Sequence, residues 1–269
     1  MAIRLIAMDL DDTLLLDDWT ISPRVQKAIR LAREQGVKIT IATGRMPNSA
    51  KPYAEQLGID IPFITYHGAF IQQAISGEVL FRKVIPSSLA KKIITPLLER
   101  GVHTQLYLKE RVMTQIMNDW AEEYSKLAGI QVEQTDLLRV LDNEEEGAEK
   151  ILFMAEESQL AKLWVEIREK YAGSVHVTAS KRHFLELVNV SVNKGVALKA
   201  LAERYNIPSE EVMAIGDSLN DIEMVKFAGL GVAMGNARPE LKQVADVITS
   251  SNQEDGVAEA IERFVLSKE

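Results

Sequence analysis

At the start of the chain, stretches with the hydrophobic pattern of a buried strand alternate with stretches with the pattern of a helix. Residues 3–8 (IRLIAM) form a short apolar run that ends abruptly in acids at Asp9, as a buried parallel strand does at its carboxyl end. Ser22 and Pro23 then supply a helix cap and a first-turn proline, and apolar residues recur at helical spacing until Gly36. The next predicted elements are a strand at 37–42 and a helix at 46–57. This order favours a parallel α/β sheet.

The pattern becomes less regular between residues 84 and 188 and regular again after Asn193. In the middle part we predict helices at 86–99, 115–127 and 157–171 and strands at 102–108, 150–155, 174–179 and 183–188. In the last part we predict helices at 194–205 and 219–227, strands at 212–215, 230–233 and 246–248, and a final helix with Val257, Ile261, Phe264 and Val265 on one face. The chain is therefore expected to form a Rossmann-like parallel sheet core with helices on both faces, from residues 1–84 and 189–269, with an inserted α/β (α+β) cap domain at 85–188.

Composition narrows the possible partners. The 269 residues are 46% hydrophobic, ample for a buried core, and the net charge of −8 comes without a basic block of the kind that follows a nucleic-acid backbone. There is no cysteine, which removes disulfides, thiolate nucleophiles and cysteine–metal sites. The apolar start is too short for a signal peptide core or a membrane span. We expect a cytoplasmic protein that binds neither nucleic acid nor membrane; the sequence does not indicate an oligomeric state.

The motif DLDDTL places two carboxylates, Asp9 and Asp11, at the end of the first predicted strand. A spacing of two residues points both side chains to the same side of a strand. Two acids held together are costly unless a cation lies between them, and oxygen ligands favour magnesium. One carboxylate could attack phosphorus while the other, if protonated, could donate to the leaving oxygen. An isolated D-x-D is otherwise an ordinary acidic strand end or helix cap.

A second acidic motif, GDSLND at residues 216–221, follows the apolar run VMAI. It places Asp217, Asn220 and Asp221 at a strand–helix junction, and such junctions gather at the carboxyl edge of a parallel sheet, where α/β proteins bind ligands. Asp217 could complete a metal site there. Aspartate and asparagine are also good turn and N-cap residues, so this motif alone decides little.

Two further features are compatible with an anionic ligand. Thr43 and Gly44 precede a predicted helix, and a hydroxyl beside free backbone amides at a helix amino end suits a phosphate. Lys194 begins the helix that opens with Asn193-Lys194-Gly195, where the helix dipole disfavours a cation unless an anion is near. Taken alone, Thr43 and Gly44 are compatible with an ordinary turn, and Lys194 with a solvated lysine.

In order along the chain, the motifs DLDDT, ATGR, NKG and GDSLND resemble the four sequence motifs of the haloacid dehalogenase superfamily. The insert between the second and third motifs is similar to that of the Cof-type sugar-phosphate phosphatases, which carry an α/β cap domain there. The segments GLGVAMGNA (229–237) and SNQEDGVAEAI (251–261) also resemble that group, most closely its YidA-type enzymes.

The resemblance implies roles for particular residues. The implied catalytic residues are Asp9 as nucleophile, Asp11 as general acid and later base, Thr43 and Lys194. The residues implied to hold the transferring phosphoryl group are Leu10, Thr43, Gly44, Arg45, Lys194 and Asn220. The implied magnesium ligands are Asp9, Asp11 through its main-chain carbonyl, and Asp217, with Asp221 supporting them.

The chain departs from the family pattern at two positions. Family members often carry glycine where this chain has Asp12, and asparagine where it has His67. Neither position carries the implied chemistry, although His67 leaves the contacts near it open, including a role in packing. Lys181, Arg182 and His183 in the insert are candidates for facing the substrate, and are equally compatible with a surface position.

The resemblance implies a magnesium-dependent phosphatase that hydrolyses small phosphomonoesters, sugar phosphates foremost, through an aspartyl phosphate. The first alternative is a phosphoryl transferase of the same superfamily, such as a sugar phosphomutase, which the four motifs do not separate from a hydrolase. The second is a signalling module that carries a phosphorylated aspartate. In such modules the phosphorylated residue lies well after an acidic pair, in a chain of one small domain.

Overall fold

The computed structural model describes residues 2–267 of the chain. Its strands are β1 (Leu5–Met8), β2 (Lys38–Ile41), β3 (Pro62–Thr65), β4 (Phe70–Gln73), β5 (Val79–Arg82), β6 (Ile85–Pro86), β7 (His103–Leu108), β8 (Arg111–Thr114), β9 (Val132–Gln134), β10 (Gly147–Ala148), β11 (Lys150–Met154), β12 (Val175–Thr178), β13 (Phe184–Asn189), β14 (Val212–Gly216), β15 (Leu230–Ala233) and β16 (Val247–Ile248). Its α-helices are α1 (Pro23–Glu34), α2 (Pro47–Gln56), α3 (Ser87–Glu99), α4 (Asp119–Ala128), α5 (Leu137–Asp142), α6 (Glu157–Lys170), α7 (Lys194–Arg204), α8 (Ile222–Phe227), α9 (Pro239–Lys242) and α10 (Gly256–Ile261). None of these helices has the length and apolar character needed to cross a membrane.

A parallel sheet with the strand order β16-β15-β14-β1-β2 joins the two ends of the chain. The central strand β1 pairs with β14 on one side and β2 on the other, Leu5 lying opposite both Val212 and Lys38. Every residue of β1 and β14 is buried, which explains why both strands are continuous apolar runs rather than alternating ones. All five carboxyl ends lie at one edge, so the residues that follow β1, β2 and β14 come close together.

Two of the predicted helix starts are confirmed by their caps. The Ser22 hydroxyl accepts a hydrogen bond from the Val25 amide at 3.2 Å, and Pro23 is the first residue of α1. The Asn193 side chain accepts from the Val196 amide at 2.8 Å at the start of α7. These caps satisfy amide groups that have no partner within the helix, and so fix where each helix begins.

A second sheet, whose strand β13 ends at Asn189, lies in the part of the chain that we call the cap. The bounds of the cap, 85–188, stay a prediction, and the rest of the chain is called the core. The strand order of this second sheet is β12-β13-β11-β7-β8-β9, antiparallel except for the parallel pair β8 and β9. Helices α3 and α6 pack on it around an apolar cluster that includes Ile94, Leu106 and Leu163. A further cluster joins the two parts, with Tyr66 of the core packed among cap residues such as Tyr107.

The structure differs from the predicted elements in several places, and the elements that were not predicted include β8, β9, α5 and α9. No element was predicted over 58–84, where β3, β4 and β5 form an antiparallel sheet. The helix predicted at 115–127 begins at Asp119, because the Asn118 side chain caps it by accepting from the Ala121 amide at 3.2 Å. The helix predicted at 219–227 opens with a 3₁₀ turn before α8. Short strands carry little periodicity, and the apolar residues Ile116 and Met117 extend the helical pattern beyond the capped start of α4.

Candidate active site

Three aspartates meet at the carboxyl edge of the parallel sheet. Asp9 follows β1, Asp217 follows β14, and Asp221 lies in the 3₁₀ turn before α8. Their side chains are almost fully buried, with 5%, 8% and 0% exposed, and one carboxylate oxygen of each lies within 4.8 Å of the others. Neighbouring parallel strands explain how residues so distant in sequence converge.

Lys194 is the cation that faces this cluster. Its side chain is fully buried, and its Nζ lies 2.7 Å from Oδ1 of Asp9 and 2.6 Å from Oδ1 of Asp221. The second oxygen of Asp221 accepts from the backbone amides of Asp217 and Ser218, both at 3.0 Å. Asp221 therefore orients Lys194 and is itself held by the backbone of its own turn.

Burial and repulsion between the carboxylates both raise pKa values within this cluster. Burial raises the pKa of Asp9 to about 7, although Lys194 acts in the opposite direction. Burial, followed by the charges of Asp221 and Asp9, also raises the pKa of Asp217 well above its ordinary value. An added cation would relieve this repulsion, and a set of carboxylate oxygens suits a hard divalent ion. The residues present therefore fit magnesium.

The Asp11 carboxylate is not part of this cluster. Both of its oxygens accept from the Arg45 guanidinium, at 2.9 Å from Nε and 2.7 Å from the second nitrogen. Burial alone would raise the pKa of Asp11, but the hydrogen bonds and charge of Arg45 bring it below the ordinary value. The expectation that the Asp11 side chain points with Asp9 toward a metal is thus corrected, because the chain leaves strand geometry at Leu10. Only the main-chain carbonyl of Asp11 stays available for that role.

The predicted phosphate-binding residues differ in how they are placed relative to Asp9. Gly44, Arg45 and Asn220 line the same cavity as Asp9, on its core side. Thr43 is buried beneath them, and its hydroxyl accepts from the Arg45 amide at 3.1 Å. Leu10 packs its side chain into the apolar core, which leaves only its main chain for a ligand.

Both departures from the family pattern lie where the backbone is left-handed. The φ angle is +59° at Asp12 and +55° at His67. Glycine adopts this conformation freely and asparagine, aspartate and histidine are the side chains enriched there, so each substitution keeps the backbone form. Asp12 additionally forms an ion pair at 3.1 Å with Lys181 of the cap. His67 is 1% exposed and belongs to the interior of the site.

Two cap residues that sequence reasoning missed complete the cavity. Lys150 and Glu186 are each 2% exposed, and the Lys150 Nζ donates to Oε1 of Glu186 and to the Gly44 carbonyl, both at 2.8 Å. Burial opposes both charges, but Glu186 raises the pKa of Lys150 overall, and His67 together with Lys150 lowers that of Glu186 well below its ordinary value. The sequence signal is a charged residue in each otherwise apolar strand, Lys150 at the start of KILFM and Glu186 inside FLELVN.

Only one of the three cap candidates faces the cavity. Lys181 lines it, and its ammonium also lies 5.6 Å from the centre of the Trp19 ring. Arg182 is 72% exposed by side chain and pairs with Glu157. His183 has its Nδ1 3.2 Å from the Ala155 carbonyl and is not among the residues that line the cavity.

Comparisons with known proteins give the family and the fold relatives of the chain. The family model described as haloacid dehalogenase-like hydrolase matches residues 6–261. The chain is 35% identical to the Bacillus subtilis 5-amino-6-(5-phospho-D-ribitylamino)uracil phosphatase YcsE, over 98% of this chain and 96% of that protein. A haloacid dehalogenase-like hydrolase from Bacteroides thetaiotaomicron is 32% identical with a TM-score of 0.81, over 97% and 99% of the two chains. One from B. subtilis is 28% identical with a TM-score of 0.88, over 98% and 100%.

These matches confirm the resemblance and the predicted fold class. The family model extends across both the core and the cap, and the two solved structures superpose along almost the whole chain. The chain belongs to the haloacid dehalogenase-like hydrolase family and is a Cof-type phosphatase.

Proposed function

We propose that the protein is a magnesium-dependent phosphatase that hydrolyses small phosphomonoesters, sugar phosphates foremost, through an aspartyl phosphate on Asp9. The observation that carries this proposal is the environment of the Asp9 carboxylate. Its Oδ1 is held by Lys194 at 2.7 Å, while Oδ2 accepts no hydrogen bond from any described residue. A carboxylate fixed at one oxygen and open at the other is arranged to act as a nucleophile.

Asp9 and Asp11 would divide the chemistry between them. Asp9 attacks phosphorus, the bond to the ester oxygen breaks, and Asp11 gives that oxygen a proton as it leaves. Water then attacks the phosphorus of the aspartyl phosphate, Asp11 takes the proton of the water, and inorganic phosphate leaves with Asp9 restored. Arg45 keeps Asp11 ionised when no substrate is bound. A phosphate that draws the guanidinium to itself would allow Asp11 to take up its proton.

Positioning and charge neutralisation would supply most of the acceleration, because phosphoryl transfer requires little covalent work from a protein. Lys194 is directed at the nucleophile and Asn220 lines the cavity beside it, so both are placed to bind phosphoryl oxygens. Asp9, Asp217 and the main-chain carbonyl of Asp11 would hold magnesium, with Asp221 in support. When bound, the ion would neutralise charge on the transferring group and on the crowded carboxylates.

The cap side of the cavity indicates the class of leaving group. Tyr124, Leu127 and Phe184 provide apolar surface there, and Ser180 and Lys181 provide polar groups. A mixed wall of this kind suits a small polyol that has both carbon faces and hydroxyl groups. The name of YcsE describes a substrate with a phosphorylated ribityl chain. We therefore extend the proposed substrates from sugar phosphates to sugar-alcohol phosphates. The cytoplasm stays the compartment that we expect from the sequence.

A panel of phosphomonoesters tests the proposal directly. Purified protein with magnesium is incubated with sugar phosphates, sugar-alcohol phosphates, nucleotides and p-nitrophenyl phosphate, and free phosphate and isomerised substrate are both measured. We expect release of phosphate, fastest from one of the first two classes. The variant Asp9→Asn, which lacks the proposed nucleophile, is assayed in the same way. Its matched control is Asp17→Asn, because Asp17 is an exposed acid of the same stretch. Isomer without free phosphate would identify a phosphomutase and overturn the hydrolase.

A further inference from the structure

A line of buried polar contacts runs from the cap into the phosphate-binding side of the core. In the cap, Lys150 donates to Glu186 at 2.8 Å. Oε1 of Glu186 lies 3.0 Å from Nε2 of His67, within ion-pair distance although without the alignment of a hydrogen bond. On the other side of the ring, Nδ1 of His67 lies 3.2 Å from Nδ2 of Asn220. Four buried side chains thus connect the cap to a residue of the cavity wall.

The ring of His67 is seated against the loop that carries Thr43 and Gly44. A Cβ atom on Gly44 would lie 2.2 Å from Cε1 of the ring, so glycine is needed for the ring to occupy this position. The His67 amide donates to the Thr43 carbonyl at 3.0 Å. The imidazole therefore has a fixed place, and its two nitrogens face fixed neighbours.

Those neighbours determine which nitrogen carries the proton. The Glu186 carboxylate beside Nε2 can only accept, so the proton of the neutral ring is on Nε2 and Nδ1 is left as an acceptor. The Nε2 proton then faces the Glu186 carboxylate, which favours this tautomer. Burial lowers the pKa of His67, in keeping with a neutral ring, and Lys150 offsets the charge of Glu186.

The tautomer in turn orients the Asn220 amide. Its nitrogen uses one hydrogen on His67 and keeps the other for a ligand, whereas its Oδ1 has no hydrogen-bond partner among the described residues. A reversed amide would present oxygen where an anion needs a donor. Without Glu186 beside Nε2, the ring could protonate Nδ1 instead, and the amide would lose the contact that selects its orientation.

We propose that His67 is a positioning residue through which the docked cap orients the Asn220 amide to donate to the substrate phosphate. This inference rests on the proposed function, since it takes Asn220 as a phosphate ligand. Lys150 and Glu186 then act on the phosphate site indirectly, through His67. The site is arranged to bind the anion when the cap is in place.

Inhibition by inorganic phosphate is the readout that separates this role from packing. His67→Phe keeps an aromatic ring against Gly44 but removes both nitrogens. Glu186→Leu removes the group that selects the tautomer. Glu186→Gln is the conservative variant, because an amide oxygen that accepts from Lys150 can still face Nε2. His103→Phe is the matched control, since His103 is a buried cap histidine, 6% exposed, whose ring contacts Gln105.

The full-length enzyme is assayed in magnesium buffer with p-nitrophenyl phosphate, with phosphate as the competing ligand. We expect His67→Phe and Glu186→Leu each to raise the phosphate Ki and the KM about tenfold, the size of one lost hydrogen bond to a charged group, with a smaller change in kcat. Glu186→Gln should stay within about threefold of the parent, a margin below that of one such bond. In an Asn220→Ala background neither His67→Phe nor Glu186→Leu should raise the Ki further.

Each other outcome has a distinct meaning. An unchanged Ki in folded His67→Phe, while Asn220→Ala raises it, overturns the inference and leaves the proposed function intact. An unchanged Ki in Asn220→Ala removes Asn220 from the phosphate site assigned under the proposed function. Effects of His67→Phe that add to those of Asn220→Ala, or that His103→Phe reproduces, assign His67 to packing. If His67→Phe does not fold, the phosphate Ki of the two Glu186 variants is compared. A Ki raised in Glu186→Leu and not in Glu186→Gln supports the inference, and equal Ki values in the two variants overturn it.

Discussion

Two buried lysines, one in the core and one in the cap, lie near the same cavity: Lys150 lines it, and Lys194 contacts Asp9, which also lines it. Lys194 contacts Asp9 and Asp221 at 2.7 and 2.6 Å, and Lys150 contacts Glu186 and the Gly44 carbonyl, both at 2.8 Å. Both are buried and are held in place by charge-assisted hydrogen bonds. The distances from the two Nζ atoms to their partners are similar. The two lysines differ in the number of carboxylates around them.

Around Lys150 the charges balance, because Glu186 supplies one negative charge for one positive charge. Around Lys194 they do not, since the carboxylates of Asp9, Asp217 and Asp221 lie within 4.8 Å of one another. Burial pushes the pKa of Asp9 up to about 7 in that crowded cluster, whereas the pKa of Glu186 is held well below its ordinary value. A balanced pair is suited to holding structure in place. An unbalanced cluster requires a further cation and is suited to chemistry.

The largest expected effect comes from the unbalanced cluster. Asp9→Asn removes the nucleophile while keeping its shape, so kcat should fall by at least about 10³-fold, as for loss of a nucleophile elsewhere. The fold should persist, which circular dichroism checks. Substantial phosphatase activity in the folded variant would remove Asp9 from its assigned role.

Removal of divalent metal should have the next largest effect. Chelator-treated protein is expected to lose activity and to recover it with magnesium, because the crowded carboxylates need a cation. Magnesium should also raise the melting temperature of the parent, since it binds the folded state, and raise it less in Asp217→Asn. Full activity in chelator, with no metal found by elemental analysis, would contradict the metal assignment.

Loss of Lys150 from the balanced pair should be seen chiefly in stability. Lys150→Met leaves Glu186 buried and unpaired, and such a loss costs about 3–5 kcal/mol of unfolding free energy. Replacing both residues, Lys150→Met with Glu186→Leu, should recover most of that loss, because no buried charge is left. Chemical denaturation of the three proteins measures this. If the double variant is no more stable than Lys150→Met, the pair is not isolated and its charges are shared with His67.

Much of the core site was predictable from sequence, because each motif follows an apolar run and parallel strands bring their carboxyl ends to one edge. Asp9, Thr43 and Asp217 were placed in this way. The contact between Lys150 and Gly44 was not predictable, since it depends on how the cap lies on the core. The turn of Asp11 toward Arg45 depends on the irregular backbone after β1, which strand periodicity does not describe.

The pH dependence of stability is a smaller effect that sharpens the same comparison. Burial would raise the pKa of Glu186, but His67 and Lys150 lower it well below its ordinary value. An unfolded glutamate has a pKa of about 4.3, so below that pH the unfolded chain binds a proton that the folded chain does not. The stability that Glu186 contributes is present above about pH 4.3 and is lost as the pH falls further. Glu186→Gln should therefore lose less stability than the parent between about pH 5 and pH 3. Equal losses would show that Glu186 keeps an ordinary pKa in the folded state.

The smallest effect is expected at the cap surface. Arg182 is 72% exposed by side chain and pairs with a half-exposed Glu157, so Arg182→Ala should leave kcat/KM within about twofold, as is usual for exposed ion pairs. Lys181→Ala, its neighbour that lines the cavity, should raise KM for sugar phosphates. Equal effects of the two variants would show that the cap contacts substrate through a different surface.

The most direct test of the central claim is to look for the phosphoryl group on Asp9 itself. The magnesium-loaded enzyme is mixed with its best substrate, quenched in acid within one turnover, digested and mapped by mass spectrometry. The account predicts one added phosphoryl group on the peptide that contains Asp9, lost on treatment with hydroxylamine and absent from Asp9→Asn. Phosphorylation of a different peptide, or rapid turnover with no phosphorylated peptide at any quench time, would contradict it.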